Sequence, residues 1–503
     1  MWRLRPEYGD ISVTTQPFAH AMDRSTKPSF NFVNLKHPDD LKDEETQLRI
    51  RRLAMTEVGK ARRKPKTKRA RNEIVLEFRD ASERPSEISR LGGGSIDPFG
   101  PYPIHLDESA RALVANIFDT NGNHPNHLRG TWYPVGLESE IAFLNMLANS
   151  QNFMFQKMNG FFPTQDDSIA LAYHHKALRR ANEMMKKAQT HNSEATISAI
   201  VSFMCHHALH GSFSGGEWHK HCGALSKIIS LRGGYDAVKT EHLRITLSWA
   251  DLLGAFFQDI QPMVPLPKKW EADSKSPPAS PRQYSPISLV WKQQMPMQTE
   301  WVTVFDDVVQ LISLDRAFGE KQLSLAASSG CWLEPTLWKL LSVRPLQHGN
   351  KREHVIEEVC RLGTLLFLAP VWRMMGQTPV WTAAISHNLL VVLMEHMTEW
   401  KELKNLLIWV LYFAAIETSD LGERSHLVFM LAVLMGGMQI ATWDDLMRTV
   451  KGVLWAERVF AGSDELIRDE VLATVAQNAL RPATADVAPA FLENLPGNVA
   501  DET

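Results

Sequence analysis

The residues best suited to chemistry lie in Cys205-His206-His207-x-x-His210, followed shortly by His219-x-His221-Cys222. His206 and His210 are one helical turn apart, a spacing at which two imidazoles can ligate one metal ion. Cys205 and Cys222, however, fall on or beside apolar stripes, where structural cysteines are commonly buried. No carboxylate is placed by spacing to orient the imidazoles. The group therefore reads as core cysteines and interhelical histidines, and the sequence predicts neither a metal site nor a cofactor.

Catalytic patterns are equally incomplete. A helical terpene-synthase-type site needs clustered carboxylates to hold magnesium and diphosphate. Asp166-Asp167-Ser-Ile-Ala and Asp306-Asp307-Val-Val-Gln both lack the third acid of a DDxxD pattern. No HExxH, GxSxG or Walker-type loop occurs. Gly211-Ser-Phe-Ser-Gly-Gly216 shares only its glycines with a phosphate loop and reads as an interhelical turn. No catalytic residue is assigned, and the chain reads as a non-enzyme.

The strongest local signal is the run KARRKPKTKRAR, residues 60–71. Residues 49–71 hold eleven Lys/Arg against one acid, Glu57, in a chain of 503 residues whose net charge is −3. A basic arm is thus joined to an acidic body. Dense cationic runs release counterions from nucleic-acid phosphates, and nuclear import receptors read them. Lys60, Arg62, Arg63, Lys64, Lys66, Lys68, Arg69 and Arg71 are assigned to those roles. Neither a zinc module nor a helix-turn-helix signature nor a basic zipper accompanies them. Phosphate contacts alone do not specify sequence, so the expected DNA partner is nonspecific.

The elements that must carry these residues are helices. Residues 1–42 are turn-rich and expected to be poorly ordered. A helix is predicted over 43–63, capped by Asp43, with Ile50, Leu53, Ala54, Val58 and Ala61 on one side. It opens the basic arm, 43–78. Pro65 ends it. Residues 79–105 hold several prolines and the Gly92-Gly93-Gly94 triplet and form a linker. From 106 to 480 helix follows helix. Ile197, Ile200, Val201, Met204 and Ala208 form one stripe; Cys222, Leu225, Ile228 and Ile229 the next, stopped by Gly233-Gly234. Leu243, Leu247, Ala250, Gly254 and Phe257 form a third. A mobile loop is expected near 271–288, and a loose tail over 481–503.

The four cysteines build neither a disulfide framework nor a CxxC motif, as expected for a reducing compartment. The start of the chain lacks the apolar run of a signal peptide. The apolar stretches Leu403–Ile416 and Leu427–Ile440 are too short for a bilayer, which needs roughly 18–20 residues. They read as two buried helices with a polar turn between them.

Several segments, in this order, resemble the fungal-specific transcription factor domain family, in the branch that lacks an N-terminal zinc cluster. Phe30-Asn-Phe-Val-Asn34, Pro38 and Arg49-Ile-Arg51 resemble its first block; Asp97-Pro-Phe99 with Tyr102-Pro103 resembles the next. Ser198-Ala-Ile200 through Trp218, His219, His221, Gly223 and Leu231-Arg-Gly-Gly234 is similar to its A…W…H…GL…RGG pattern. Leu243-Arg244, Trp249-Ala-Asp251 and Pro262…Pro265 complete the series. The resemblance implies an all-α, multi-helix regulatory domain, nuclear residence and a role in transcription, with the Trp, His and Gly positions serving helix packing. The zinc-bearing members place six cysteines ahead of the domain, whereas the first cysteine here is Cys205. The expected partners are DNA through the basic arm, an import receptor and a protein co-regulator, with no membrane. The alternatives are a protein-interaction scaffold without DNA contact and, less favoured, a helical enzyme.

Overall fold

The computed structural model describes residues 102–118, 132–186, 193–211, 213, 215–268, 270, 304–306, 308–309, 333–374 and 377–480. All belong to the second of the two units into which the chain divides, residues 85–503. The basic arm with its eight assigned cations, the helix expected over 43–63, the linker as far as residue 101, the loop near 271–288 and the tail from 481 lie outside the described residues. The described residues form fifteen α-helices joined by turns and short 3-10 segments, with no strand among them, as the apolar periodicity predicts.

Short polar residues fix where helices begin. Asp107 accepts the Ala110 N–H at 2.8 Å and starts α1, Glu108–Phe118. After the short α2, Tyr133–Glu138, Ser139 caps α3, Glu140–Asn159. Asp167 accepts the N–H groups of Ile169 and Ala170 and starts α4, Ser168–Met185. Ser193 does the same for α5, Glu194–His210. Each cap satisfies amides that the first helical turn leaves without an internal partner. The α6 helix, Glu217–Leu231, ends where the Gly234 N–H turns back to the Ile229 carbonyl at 2.9 Å, with Gly233 and Gly234 both at positive φ. That is the glycine-dependent stop expected at this pair.

The N-terminal helices pack around α3, which touches α1, α2, α4 and α5, and α5 in turn packs on α6 and on α7, Glu241–Gln258. The α7 helix also meets α8, Glu334–Ser342, and α10, Ala383–His396. The C-terminal helices gather around α9, Arg352–Met374, which packs on α10 and on α11, Lys404–Glu417. The α11 helix contacts α12, Leu421–Gly437, and α13, Trp443–Val453; the described residues end with α14, Glu457–Phe460, and α15, Arg468–Leu480. No described helix is long and apolar enough to cross a membrane. The polar turn between the two apolar stretches is shorter than the sequence suggests. Asp420 caps α12 through the Glu423 N–H, so Glu423 and Arg424 lie in its first turn.

At the end of α7, Asp259 takes a left-handed conformation, φ 49°, and its carboxylate turns back into the protein. Arg361 of α9 donates to both of its oxygens, at 2.8 and 3.0 Å, and also to Glu358. Arg344 and Asn388 donate to the same carboxylate, each at 3.0 Å. The Arg361 side chain is 0% exposed, so this charge is compensated entirely by protein groups. Removing one partner of a buried pair leaves the other charge stranded at a cost of about 3–5 kcal/mol. Arg361→Met is expected to lower unfolding stability by that amount in urea titrations; a loss below about 1 kcal/mol would refute the assigned role.

Candidate functional site

The histidines singled out by spacing lie in a buried polar network between α3, α4 and α5. Along α3, Asn145, Asn149 and Asn152 follow one another at i, i+4 and i+7, so they share one face. Asn145 donates to Ser202 at 2.8 Å and faces His174 Nδ1 of α4 through its amide oxygen at 3.0 Å. The Asn149 amide oxygen lies 2.7 Å from His206 Nδ1. Asn152 donates to Asp166 at 2.8 Å. All three asparagines are essentially buried. A buried amide without a partner costs several kcal/mol, so the ladder must be matched rung by rung.

Asp166, in the turn between α3 and α4, is where the network converges. His206 Nε2 lies 3.0 Å from its Oδ2 and His210 Nε2 lies 2.9 Å from its Oδ1. The ligating atoms of Asp166, His206 and His210 are all within 4.8 Å of one another, so these three could hold a metal ion. His210 Nδ1 lies 3.0 Å from the Pro163 carbonyl. His174 stacks on His206, with ring centroids 4.1 Å apart. Burial would raise the Asp166 carboxyl, but hydrogen bonds to His206 and His210, the charge on His206 and the Asn152 amide hold it well below the usual carboxylate range. Burial pulls the His206 imidazole below its ordinary value. Burial, with His206 beside it, pushes His174 down to about 2.

His221 does not join this group. It stacks on Phe203 and His207, at 5.2 and 5.4 Å. Cys205 and Cys222 are buried, and burial pushes both thiols up, as the reading of core cysteines requires. Asp166 is the residue that spacing missed, because it lies 40 residues from His206. The pair Asp166-Asp167 divides its work: one carboxylate meets the histidines and the other caps α4. A signal was present in Asn145, Asn149 and Asn152, which recur at helical spacing among the buried apolar residues of α3.

The RGG-bearing segments form a second packing cluster. A Cβ on Gly254 would sit 2.2 Å from the Trp218 ring, so only glycine lets the Trp218 side chain of α6 lie against α7 here. Arg232 reaches Glu194 and the Ala237 carbonyl, and the Tyr235 hydroxyl meets Ser248 at 2.8 Å. Asp251, in the Trp249-Ala-Asp251 segment, accepts the Val264 N–H at 2.8 Å and holds the Pro-rich turn after α7. These residues bind helices to one another.

Fold and contacts together define a multi-helix α domain whose buried polar groups fix how its helices meet. Residues 112–439 match the model of the fungal specific transcription factor domain, and the chain belongs to that family. No curated protein and no solved structure matches the chain.

Burial pushes the Asp251 carboxyl up to about 7, against hydrogen bonds from Val264 and Met263 that favour ionisation. Unfolded, the group titrates near the ordinary aspartate value, 3.8. Between those values the folded chain keeps a proton that the unfolded chain has lost, so this group's contribution to stability falls as pH rises and levels off above about 7. Asp251→Asn is expected to flatten the stability–pH curve over that interval, as read from thermal unfolding at a series of pH values.

Proposed function

We propose that the protein is a nuclear transcription regulator whose helical domain binds a protein partner or effector and whose basic arm supplies import and nonspecific DNA affinity. The observation that carries this reading is the family match over residues 112–439. The eight cations between Lys60 and Arg71 supply what DNA contact and import require: dense positive charge on an otherwise acidic chain. Residues 1–204 contain no cysteine, so a six-cysteine zinc cluster cannot be built there, and base-specific recognition is assigned to a partner.

Replacing Arg62, Arg63, Lys64, Lys66, Lys68 and Arg69 by Ala in a tagged chain is expected to abolish nuclear accumulation. Unchanged accumulation would remove the import role. On duplex DNA, each phosphate neutralised contributes about −0.9 to the slope of log affinity against log salt. The sixfold variant is therefore expected to flatten that slope by up to ~5. Background-level binding with or without the arm would instead support a scaffold that docks an acidic protein.

A further inference from the structure

We propose that Asp166, His206 and His210 bind a divalent transition ion of the zinc class, through the carboxylate and the two imidazole Nε2 atoms. The candidate ligand atoms are already gathered within 4.8 Å of one another. The histidines project from adjacent turns at the end of α5, and Asp166 reaches both from the α3–α4 turn. A tetrahedral ion with bonds of about 2.0–2.1 Å places its ligand atoms roughly 3.3 Å apart. His206 Nε2 lies 3.0 Å from Oδ2 and His210 Nε2 2.9 Å from Oδ1, and the ligating atoms all lie within 4.8 Å of one another, so side-chain rotation alone is needed to gather them on one ion.

The outer partners are those of ligating imidazoles. His210 Nδ1 faces a backbone carbonyl, which can only accept, and His206 Nδ1 faces the amide oxygen of Asn149. With an ion bound, both rings would carry their hydrogen on Nδ1, facing those oxygens, and turn their Nε2 lone pairs to the ion. Metal-binding histidines are held in this tautomer in just this way. Without an ion, Nε2 hydrogens bridge His206 and His210 to Asp166; a cation would displace those protons and take their place.

A cavity of about 220 Å³ lies next to the site, lined by Asn152, Phe161, Pro163 and the two chain neighbours of Asp166, Gln165 and Asp167. The Asn152 amide, 3.2 Å from His210 Nε2, can take the fourth position by turning its oxygen inward. Two imidazoles, a carboxylate and a neutral oxygen suit zinc and its close substitutes better than magnesium or calcium, which prefer oxygen alone. The bound ion clamps the α3–α4 turn to the end of α5. The proposal is independent of the basic arm, so its failure would leave the regulatory reading untouched.

The test uses the full chain, stripped with chelator and titrated with Co²⁺ and Zn²⁺. One equivalent of Co²⁺ is expected to bind with the visible d–d bands of a four- or five-coordinate site, and Zn²⁺ is expected to displace it and raise Tm. His210→Gln and Asp166→Asn are each expected to weaken binding at least ~100-fold, more than the 10–100-fold typical of lost outer-shell partners. His221→Gln, outside the site, is expected to keep the full equivalent. Absence of a saturable one-to-one cobalt spectrum in the unmodified chain overturns the proposal whether or not the variants fold. So does undiminished binding in folded His210→Gln.

Discussion

The described structure depends most on the bond between Arg361 and Asp259. The helices gathered on α3 and those gathered on α9 meet chiefly through α7, and α7 ends at Asp259. Its carboxylate is held by arginines from two segments and by Asn388 from a third, so one buried anion ties together chain separated by more than 100 residues. Apolar contact would hold these helices together without fixing their angle. A bidentate guanidinium pair has a direction, and here it orients the joint.

The same division of labour recurs in the N-terminal half. Leucines, phenylalanines and tryptophans supply burial, while the Asn145, Asn149 and Asn152 ladder, with His174, His206 and Asp166, decides which rotation of each helix is native. Gly254 marks the opposite device, a missing side chain that lets Trp218 approach where polar matching is not used.

Much of the architecture was legible in the sequence because helical periodicity is local. The stripes on α5, α6 and α7, the Gly233-Gly234 stop and the two apolar helices separated by a polar turn appear at or near their expected places. What escaped notice was long-range polar pairing. Glu358 and Arg361, three apart, have the spacing of a solvated surface pair, yet Arg361 is fully buried because its partner Asp259 comes from another helix. Asp166 had the appearance of half an acidic motif. Only the fold brings it to His206 and His210. His206 and His210 were recognised as a pair able to share a ligand, whereas His221, grouped with them by proximity in the chain, stacks elsewhere.

The asparagine ladder also restricts how the domain could vary. Two apolar helices can slide by one turn, about 5.4 Å, and exchange one set of methyl contacts for another at modest cost. The α3 helix cannot. Its three amides meet three different partners, a serine with a histidine, a second histidine and a carboxylate, so any shift leaves several donors facing the wrong atoms at once. Neighbouring apolar positions can therefore drift in size, while the asparagines and their partners on α4, α5 and the intervening turn can change only together.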